Sequence, residues 1–240
     1  MYEPRTYRHR IKNDELVSFT VVVKETDLFI RARSDLKQNA LDAVTRYRAE
    51  IEDYIKKNPL FLTALEPYPV EDDASPIVKS MSNAAAIAGV GPMAAVAGAI
   101  AEYVGKDLSP LSAEVIVENG GDIYAMIRKI RRIGIYAGDS PFTGKIALEI
   151  KPEETPVGIC TSSGTVGHSL SLGSADAVLV LSADTALADA VATAVGNTVK
   201  TIRDIDAGLE QVKTIEGLTG TVIIKGDKIG VWGDIKLVSL

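Results

Sequence analysis

The sequence contains very few of the residues that build the commonest metal and redox sites. It has one cysteine, Cys160, and two histidines, His9 and His168. These side chains are too few for a zinc cluster of the usual cysteine and histidine composition. One cysteine also excludes an intrachain disulfide and is typical of a reducing compartment.

Several familiar nucleotide-binding and hydrolase signatures are also missing. There is no glycine-lysine phosphate loop, and Gly89-Val90-Gly91 lacks the third glycine of the dinucleotide-binding motif. Ser162 and Ser163 precede His168, but no Gly-x-Ser-x-Gly turn surrounds either serine. The sequence therefore argues against a P-loop enzyme, a dinucleotide-binding dehydrogenase and a serine hydrolase.

Positive charge and long apolar runs are scarce as well. The net charge is -6 and the basic runs are short, so nucleic acid is not an expected partner. The first ten residues have no apolar core that could act as a signal peptide, which predicts a cytoplasmic protein. Ser80 to Ala101 is uncharged over 22 residues, but its alanines, glycines and proline favour a buried helix pair over a membrane span.

Strand and helix patterns alternate along the chain. Strand pairs joined by short turns, with helices inserted in the longer connections, predict an α+β fold with largely antiparallel sheets. We expect one domain over residues 1–240, with room for two sub-lobes. Hairpins near both chain ends are compatible with a homo-oligomer formed by edge pairing. The predicted strands are 16–23, 28–33, 113–117, 133–136, 145–150, 157–160, 177–181, 221–224 and 229–240. The predicted helices are 35–57, a short helix that starts at 75–76 and leads into Gly89, 93–105, 183–197 and 201–212.

The helix predicted over residues 183–197 carries a polar pair. Leu187, Val191 and Val195 share one stripe, which is the face that such a helix would bury. Asp189 and Thr193 are four residues apart and are therefore neighbours on the opposite face, among alanines and a glycine. Their oxygens suit a hard cation such as Mg²⁺. The same spacing also fits an ordinary solvated face.

Three glycine-containing segments are candidate ligand contacts. Gly91, Pro92 and Met93 begin a helix whose open N–H groups suit a phosphate, although a tight turn between two helices fits equally well. Gly120 and Gly121 lie between Asn119 and Asp122, in a place typical of a bulge or a close backbone approach. The third segment is rich in hydroxyl groups and suits phosphate or ribose oxygens, but such residues also make turns; it contains Thr161, Ser162, Ser163 and Gly164.

Three motifs in this order resemble the ApbE-like superfamily. Glu118-Asn119-Gly120-Gly121-Asp122-Ile123 resembles its Asn-x-Gly-Gly-Asp strand end. Cys160-Thr161-Ser162-Ser163-Gly164 is similar to its Ala-Thr-Ser-Gly turn. Ala188-Asp189-Ala190-Val191-Ala192-Thr193-Ala194 is similar to its Ala-Asp-Ala-Leu-Ala-Thr-Ala helix. Order and spacing agree over roughly Gly89 to Val199, nearly half of the chain.

The resemblance implies an ApbE-like, T-fold-related architecture and a flavin chemistry. Members of this family are magnesium-dependent transferases that split FAD and attach FMN to a threonine of a protein acceptor, and some relatives hydrolyse FAD. If the family's residue roles apply to this sequence, Asp189 and Thr193 would be Mg²⁺ ligands, and a backbone carbonyl in Met93–Ala95 would be a third. The flavin pocket would be lined by Asn119, Gly120, Gly121 and Asp122, and the phosphate or ribityl part would meet Thr161, Ser162 and Ser163.

One part of the family pattern differs. The transferases carry His-x-x-Asp-Pro-x-x-Gly after the hydroxyl-rich turn, whereas His168 to Gly173 keeps the histidine and lacks Asp-Pro. His168 is the candidate general base, and a structural histidine is the alternative. The sequence thus predicts a Mg²⁺-dependent enzyme acting on FAD or a related nucleotide. A flavin-binding or nucleotide-binding protein without catalysis, and an oligomeric scaffold, remain the alternatives.

Overall fold

The computed structural model describes residues 15–164 and 173–240, which form eleven strands and six α-helices within those ranges. The strands are β1 (Val17–Val23), β2 (Thr26–Ala32), β3 (Val115–Asn119), β4 (Asp122–Met126), β5 (Arg131–Gly134), β6 (Ile146–Ile150), β7 (Val157–Ser162), β8 (Ala177–Ser182), β9 (Leu218–Lys225), β10 (Lys228–Gly233) and β11 (Leu237–Ser239). The helices are α1 (Lys37–Lys57), α2 (Leu60–Thr63), α3 (Pro76–Ala88), α4 (Val96–Leu108), α5 (Thr185–Thr198) and α6 (Ile205–Lys213).

Two antiparallel sheets organise these elements. The larger has eight strands in the order β1-β2-β3-β4-β7-β8-β9-β10, and the smaller has the order β11-β6-β5. All of the strand pairings in both sheets are antiparallel. The predicted α+β class with largely antiparallel sheets is confirmed.

The large sheet is covered on both faces, and β8 shows how its sequence allows this. Val178 and Val180 belong to the core shared with the helices, whereas Leu179 and Leu181 belong to the core shared with the small sheet. Successive side chains of a strand point to opposite faces, so a continuous apolar run fits a strand between two layers. This is the environment that the run Ala177–Leu181 predicted.

Helix α5 is buried on nearly all sides, which corrects one interpretation of its sequence. Leu187, Val191 and Val195 are buried as expected, but Asp189 on the opposite face is only 8% exposed and Thr193 is half-buried. The solvated-face alternative for Asp189 is wrong, because α5 packs between the large sheet and helices α3 and α4. Small side chains around the helix allow this close packing.

Two other segments differ from the sequence-based expectation. Residues 60–73, predicted as a loop, contain the one-turn helix α2, which is too short to show a period and buries Phe61 between Tyr54 and Tyr68. Helix α4 continues past Gly105 to Leu108. A Cβ at Gly105 would lie 2.1 Å from Cδ1 of Tyr124, so this glycine makes room for the ring and does not end the helix.

Helix α3 and the residues up to the end of α4 form the expected buried pair. Ile77 and Met81 of α3 and Val104 of α4 are fully buried. Among the described residues, no single helix is long and apolar enough to cross a membrane. The segments Pro76–Ala88 and Pro92–Leu108 reach that composition only when taken together, and they are bent by 106°.

Candidate functional site

The site forms where the N-terminal halves of α4 and α5 cross at close range. A Cβ at Gly98 would lie 2.4 Å from the carbonyl oxygen of Thr185 and 2.8 Å from Cβ of Asp189. A side chain at this position would therefore push the helices apart. A glycine inside a helix costs about 1 kcal/mol relative to alanine, so its presence in α4 is a sequence signal for this contact, which the sequence reasoning missed.

Strand β7 approaches α5 equally closely. A Cβ at Gly158 would lie 2.5 Å from Cα of Thr185, which is backbone and cannot rotate away. The first turn of α5 thus lies directly on the sheet.

We expect Gly158→Ala to lower the free energy of unfolding by about 1–3 kcal/mol, the usual cost of overpacking a core. Chemical denaturation of both proteins measures this difference. Gly134→Ala is the matched control, because the added methyl there meets only the flexible tip of Leu240, at 3.1 Å. Equal losses in the two variants would contradict the assigned close contact.

Asp189 binds the N-terminus of α4. Its Oδ2 accepts the N–H of Gly98 at 2.8 Å. The first N–H groups of a helix lack partners within the helix and carry partial positive charge, so a carboxylate is stabilised there. This contact fixes the side chain of Asp189 toward the first turn of α4.

The glycine pair forms the turn between β3 and β4. Asn119 pairs with Asp122 across it, and Gly120 and Gly121 have φ values of 70° and 118°. Positive φ at both central residues is what a two-residue hairpin of type I′ requires, so these glycines form a tight turn. Of the two predicted alternatives, a bulge or a close backbone approach, the bulge is wrong. The amide of Asn119 donates to the carbonyl of Ala97 at 3.1 Å, which ties the turn to the start of α4.

Asp122 lies beside Cys160 on the helix-facing side of the sheet. Its Oδ1 accepts the N–H of Thr161 at 3.3 Å. Burial raises the pKa of Asp122 to about 7; the Cys160 thiol and the Thr161 N–H oppose the rise, and Glu118 adds to it. Burial also raises the pKa of the Cys160 thiol, and the negative charges of Asp122 and Asp189 raise it further. Cys160 therefore stays protonated, and its thiol donates to the carbonyl of Thr185 at 3.4 Å.

Asp122 and Asp189 form a pair of buried carboxyl groups. Burial raises the pKa of Asp189 well above its ordinary value, and the neighbouring Asp122 raises it further. Neither carboxylate has a salt bridge to a lysine or arginine in residues 15–164 and 173–240. In the same ranges, no group of three or more His, Cys, Asp or Glu side chains is arranged as a metal site. Two uncompensated carboxylates beside hydroxyl and carbonyl oxygens fit a hard cation that takes few protein ligands.

Hydroxyl groups extend the polar site from the carboxyl pair toward the end of α5. Asp189, Thr193 and Gly196 are spaced four and three residues apart, so they share one helix face. A Cβ at Gly196 would lie 3.0 Å from Oγ of Ser162, which places that serine opposite the same face. The hydroxyls of Thr193 and Ser162 make no hydrogen bond within the described ranges. Thr161 differs: strand alternation turns its side chain to the other face of the sheet, and its N–H contacts Asp122 instead.

The ends of the hydroxyl-rich segment pack on α5. A Cβ at Gly164 would lie 2.3 Å from the carbonyl oxygen of Gly173, and one at Gly173 would lie 1.8 Å from that of Gly196. Ser163 lies just before this contact and is half-buried. His168, the candidate general base, lies outside the described residues.

Gly91, Pro92 and Met93 lie before α4, at the start of a short 3₁₀ helix (Pro92–Ala95) that contacts α5. A Cβ at Gly91 would lie 1.7 Å from the carbonyl oxygen of Ala64, so this glycine serves a close backbone contact. A phosphate role for these three residues, and a metal-binding carbonyl in Met93–Ala95, remain predictions.

Comparison with known proteins agrees with this arrangement. A family model described as "AbpE bacteria" matches residues 8–217. The chain belongs to this family. It is 43% identical to a UPF0280 protein of Methanocaldococcus jannaschii over 90% of each chain, and 42% identical to one of Methanopyrus kandleri over 94% of each. The name of these relatives states no activity.

Solved structures of ApbE flavin transferases share the fold of this family member. The Pseudomonas stutzeri flavinyl transferase ApbE matches with a TM-score of 0.57 and 15% identity, over 90% of this chain and 94% of the other. The H257G mutant of the flavin transferase ApbE from Vibrio cholerae matches with a TM-score of 0.60 and 13% identity, over 91% and 97%. At these identities the match establishes the ApbE fold, which was the predicted architecture.

Proposed function

We propose that this protein is a Mg²⁺-dependent enzyme that splits FAD and transfers FMN to an acceptor hydroxyl. The observation that carries the proposal is the convergence of Asp122 and Asp189, two buried carboxylates without a cationic partner in the described residues, on an ApbE fold. The glycine turn Asn119–Asp122 and the serine-containing segment at the end of β7 lie around this pair.

The reaction breaks one phosphoanhydride bond and forms one phosphoester bond. The acceptor oxygen attacks the phosphorus of the FMN half of FAD, AMP leaves with the bridging oxygen, and the acceptor hydroxyl gives up its proton to a general base, for which His168 is the candidate from the sequence. A threonine side chain of a protein accepts FMN in the transfer reaction. Water as the acceptor gives hydrolysis to FMN and AMP.

The residues of the site would position the metal ion and the phosphate oxygens of FAD. Asp189 and Thr193, with Asp122 opposite them, would hold the Mg²⁺ ion, and Ser162 offers a free hydroxyl for a phosphate oxygen. A bound Mg²⁺ supplies Lewis-acid neutralisation of the pyrophosphate. The turn Asn119–Asp122 would contact the flavin, and the N–H of Gly98 keeps Asp189 in place.

One sequence feature favours a second candidate, a flavin-binding or nucleotide-binding protein without catalysis. The segment His168–Gly173 lacks the Asp-Pro of the transferases. In this alternative the pocket binds its ligand and releases no AMP.

We expect the purified protein to release AMP from FAD in the presence of Mg²⁺ and not in EDTA, because the pyrophosphate charge needs the cation. Chromatography measures AMP, and flavin fluorescence in a denaturing gel detects transfer to proteins of a cytoplasmic extract. Asp227→Asn, which changes an exposed carboxylate in the β9–β10 turn, is the matched control and should keep the full rate. FAD binding without AMP release under any condition would favour the second candidate, and absence of flavin binding would contradict both.

A further inference from the structure

Glu102 of α4 is a buried carboxylate that the proposed reaction does not use. It is 5% exposed, and its Oε2 accepts the backbone N–H of Thr185 at 2.6 Å, across the contact between α4 and α5. Its other oxygen forms a salt bridge with Lys106, one turn further along α4. The carboxylate therefore has both a charge partner and a contact to the neighbouring helix.

Glu102 and Asp189 form a reciprocal arrangement. Asp189 of α5 accepts an N–H from the first turn of α4, and Glu102 of α4 accepts an N–H from the first turn of α5. The two hydrogen bonds are separated by one helical turn on each helix and run in opposite directions. Together these two hydrogen bonds fix the position of α5 along the axis of α4.

Thr185 is held at both ends of its backbone. Its N–H goes to Glu102, and its carbonyl oxygen accepts the thiol of Cys160 on β7. Asp189 lies four residues further along the same face of α5. A shift of Thr185 would therefore move the carboxylate of Asp189 relative to Gly98.

Formation of α5 itself does not need Glu102. The N-cap residue Asp184 already accepts the N–H of Leu187 at 3.0 Å, and the first carbonyl of the helix, that of Asp184, bonds to the N–H of Ala188. Such a cap is sufficient to start a helix. The specific consequence of the Glu102 contact is the position of α5 on α4.

We infer that Glu102 is a positioning residue that fixes α5 against α4 so that Asp189 meets the N-terminus of α4 in a cation-binding geometry. The positioning of Asp189 stands on the geometry alone, whereas the effect on cation binding rests on the proposed function. Glu102 itself touches neither substrate nor metal.

Amide-resolved hydrogen exchange of the metal-free protein tests the positioning. In Glu102→Asp, which is shorter by one methylene and keeps the charge, we expect the Gly98 N–H to exchange about tenfold faster, because one hydrogen bond to a charged group is lost. Glu102→Ala should do the same. Glu102→Gln keeps an oxygen that can accept the Thr185 N–H and should stay within about threefold of the parent.

Two controls separate positioning from general loss of stability. Lys106→Ala removes the salt bridge and leaves the Thr185 contact, so Gly98 exchange should not change. Glu114→Ala lowers the global stability, so its Gly98 exchange should match that of the parent once the measured change in the free energy of unfolding is subtracted. Unchanged Gly98 exchange in Glu102→Asp, or equal acceleration in Glu114→Ala after the same subtraction, would overturn the inference.

Calorimetric titration with Mg²⁺ tests the metal-dependent part. The dissociation constant should rise about tenfold in Glu102→Asp and remain near the parent value in Glu102→Gln. A variant whose Gly98 N–H exchanges faster but whose Mg²⁺ affinity equals that of the parent would contradict the proposed effect on cation binding. If the parent itself binds no Mg²⁺ while Gly98 exchange still responds, the proposed function fails and the positioning role stands.

Discussion

Asp189→Asn is expected to raise the melting temperature of the metal-free protein at pH 8 and to abolish its stabilisation by Mg²⁺. In the folded protein, burial and then Asp122 raise the pKa of Asp189. A carboxyl group whose pKa is higher in the folded than in the unfolded state stabilises the fold fully only below its unfolded pKa. That stability is lost as the pH rises through the folded pKa.

At pH 8 Asp189 is ionised in the unfolded parent, whereas burial and Asp122 disfavour its charged form in the fold, so this side chain opposes folding. The asparagine of the variant does not titrate and keeps an oxygen for the Gly98 N–H. We expect a gain of about 1–3 kcal/mol, or a few degrees for a chain of this length. At pH 4 the difference should largely disappear, because the acid pair is then protonated in the folded parent.

In Mg²⁺ the parent should become more stable than Asp189→Asn, which reverses their order in EDTA. A ligand at 100 times its dissociation constant stabilises a folded protein by about 2.7 kcal/mol, and only the parent has the full ligand set. Release of AMP from FAD by the variant should fall at least about 100-fold, the scale of losing one strong electrostatic contact in a transition state. A variant that is less stable than the parent in EDTA at pH 8, or equally stabilised by Mg²⁺, would contradict the acid-pair assignment. Asp227→Asn is again the control.

Glu114→Ala is expected to cause the largest loss of stability, about 3 kcal/mol. Glu114 is fully buried and forms salt bridges with Arg33 at 2.5 Å and with Arg131 at 2.6 Å. Arg131 belongs to the small sheet, whereas Arg33 follows β2 and Glu114 precedes β3 of the large sheet. Removing the shared carboxylate leaves Arg131, whose side chain is only 17% exposed, without this partner.

Denaturant titrations of the parent and variant measure this loss. Lys56→Ala, which breaks the exposed pair with Asp53, is the control and should change stability by less than about 0.5 kcal/mol. Burial alone would raise the pKa of Glu114, but Arg131 and Arg33 outweigh it and hold the pKa below its ordinary value. This contribution to stability is therefore present above pH 4.5 and is lost as the pH falls through the folded pKa. A loss under 1 kcal/mol in Glu114→Ala would contradict the assigned role.

Much of the fold could be predicted because local patterns and tertiary environment agree. The alternating and β-branched runs of β1, β2, β8 and β9 read correctly as strands, and the long periodic helix α1 was located to within two residues at its start. The turn at Gly120 and Gly121 was misread because a glycine pair fits a bulge and a type I′ turn equally well until the pairing of Asn119 with Asp122 is known.

The candidate site was only partly predictable from the sequence. The spacing of Asp189 and Thr193 placed both residues on one helix face, and the order of three motifs indicated the family. Gly98 signals a close approach to α4 but not its partner, and Glu102 carries no signal, because both roles depend on a helix about 90 residues away in sequence. Nothing in the local sequence distinguishes Glu102 from the exposed acids of other helices.

By itself, therefore, the sequence determined the antiparallel α+β fold, the family and the polar face of α5, since these follow from period, turn residues and motif order. Only the tertiary structure decided that this face is buried, that Asp122 lies near Asp189, and that α4 and α5 bind each other's first turns. The physical reason is that burial, pKa shifts and helix-end contacts arise from elements distant in sequence, whose approach depends on glycines at Gly98 and Gly158 that leave room for backbone contact.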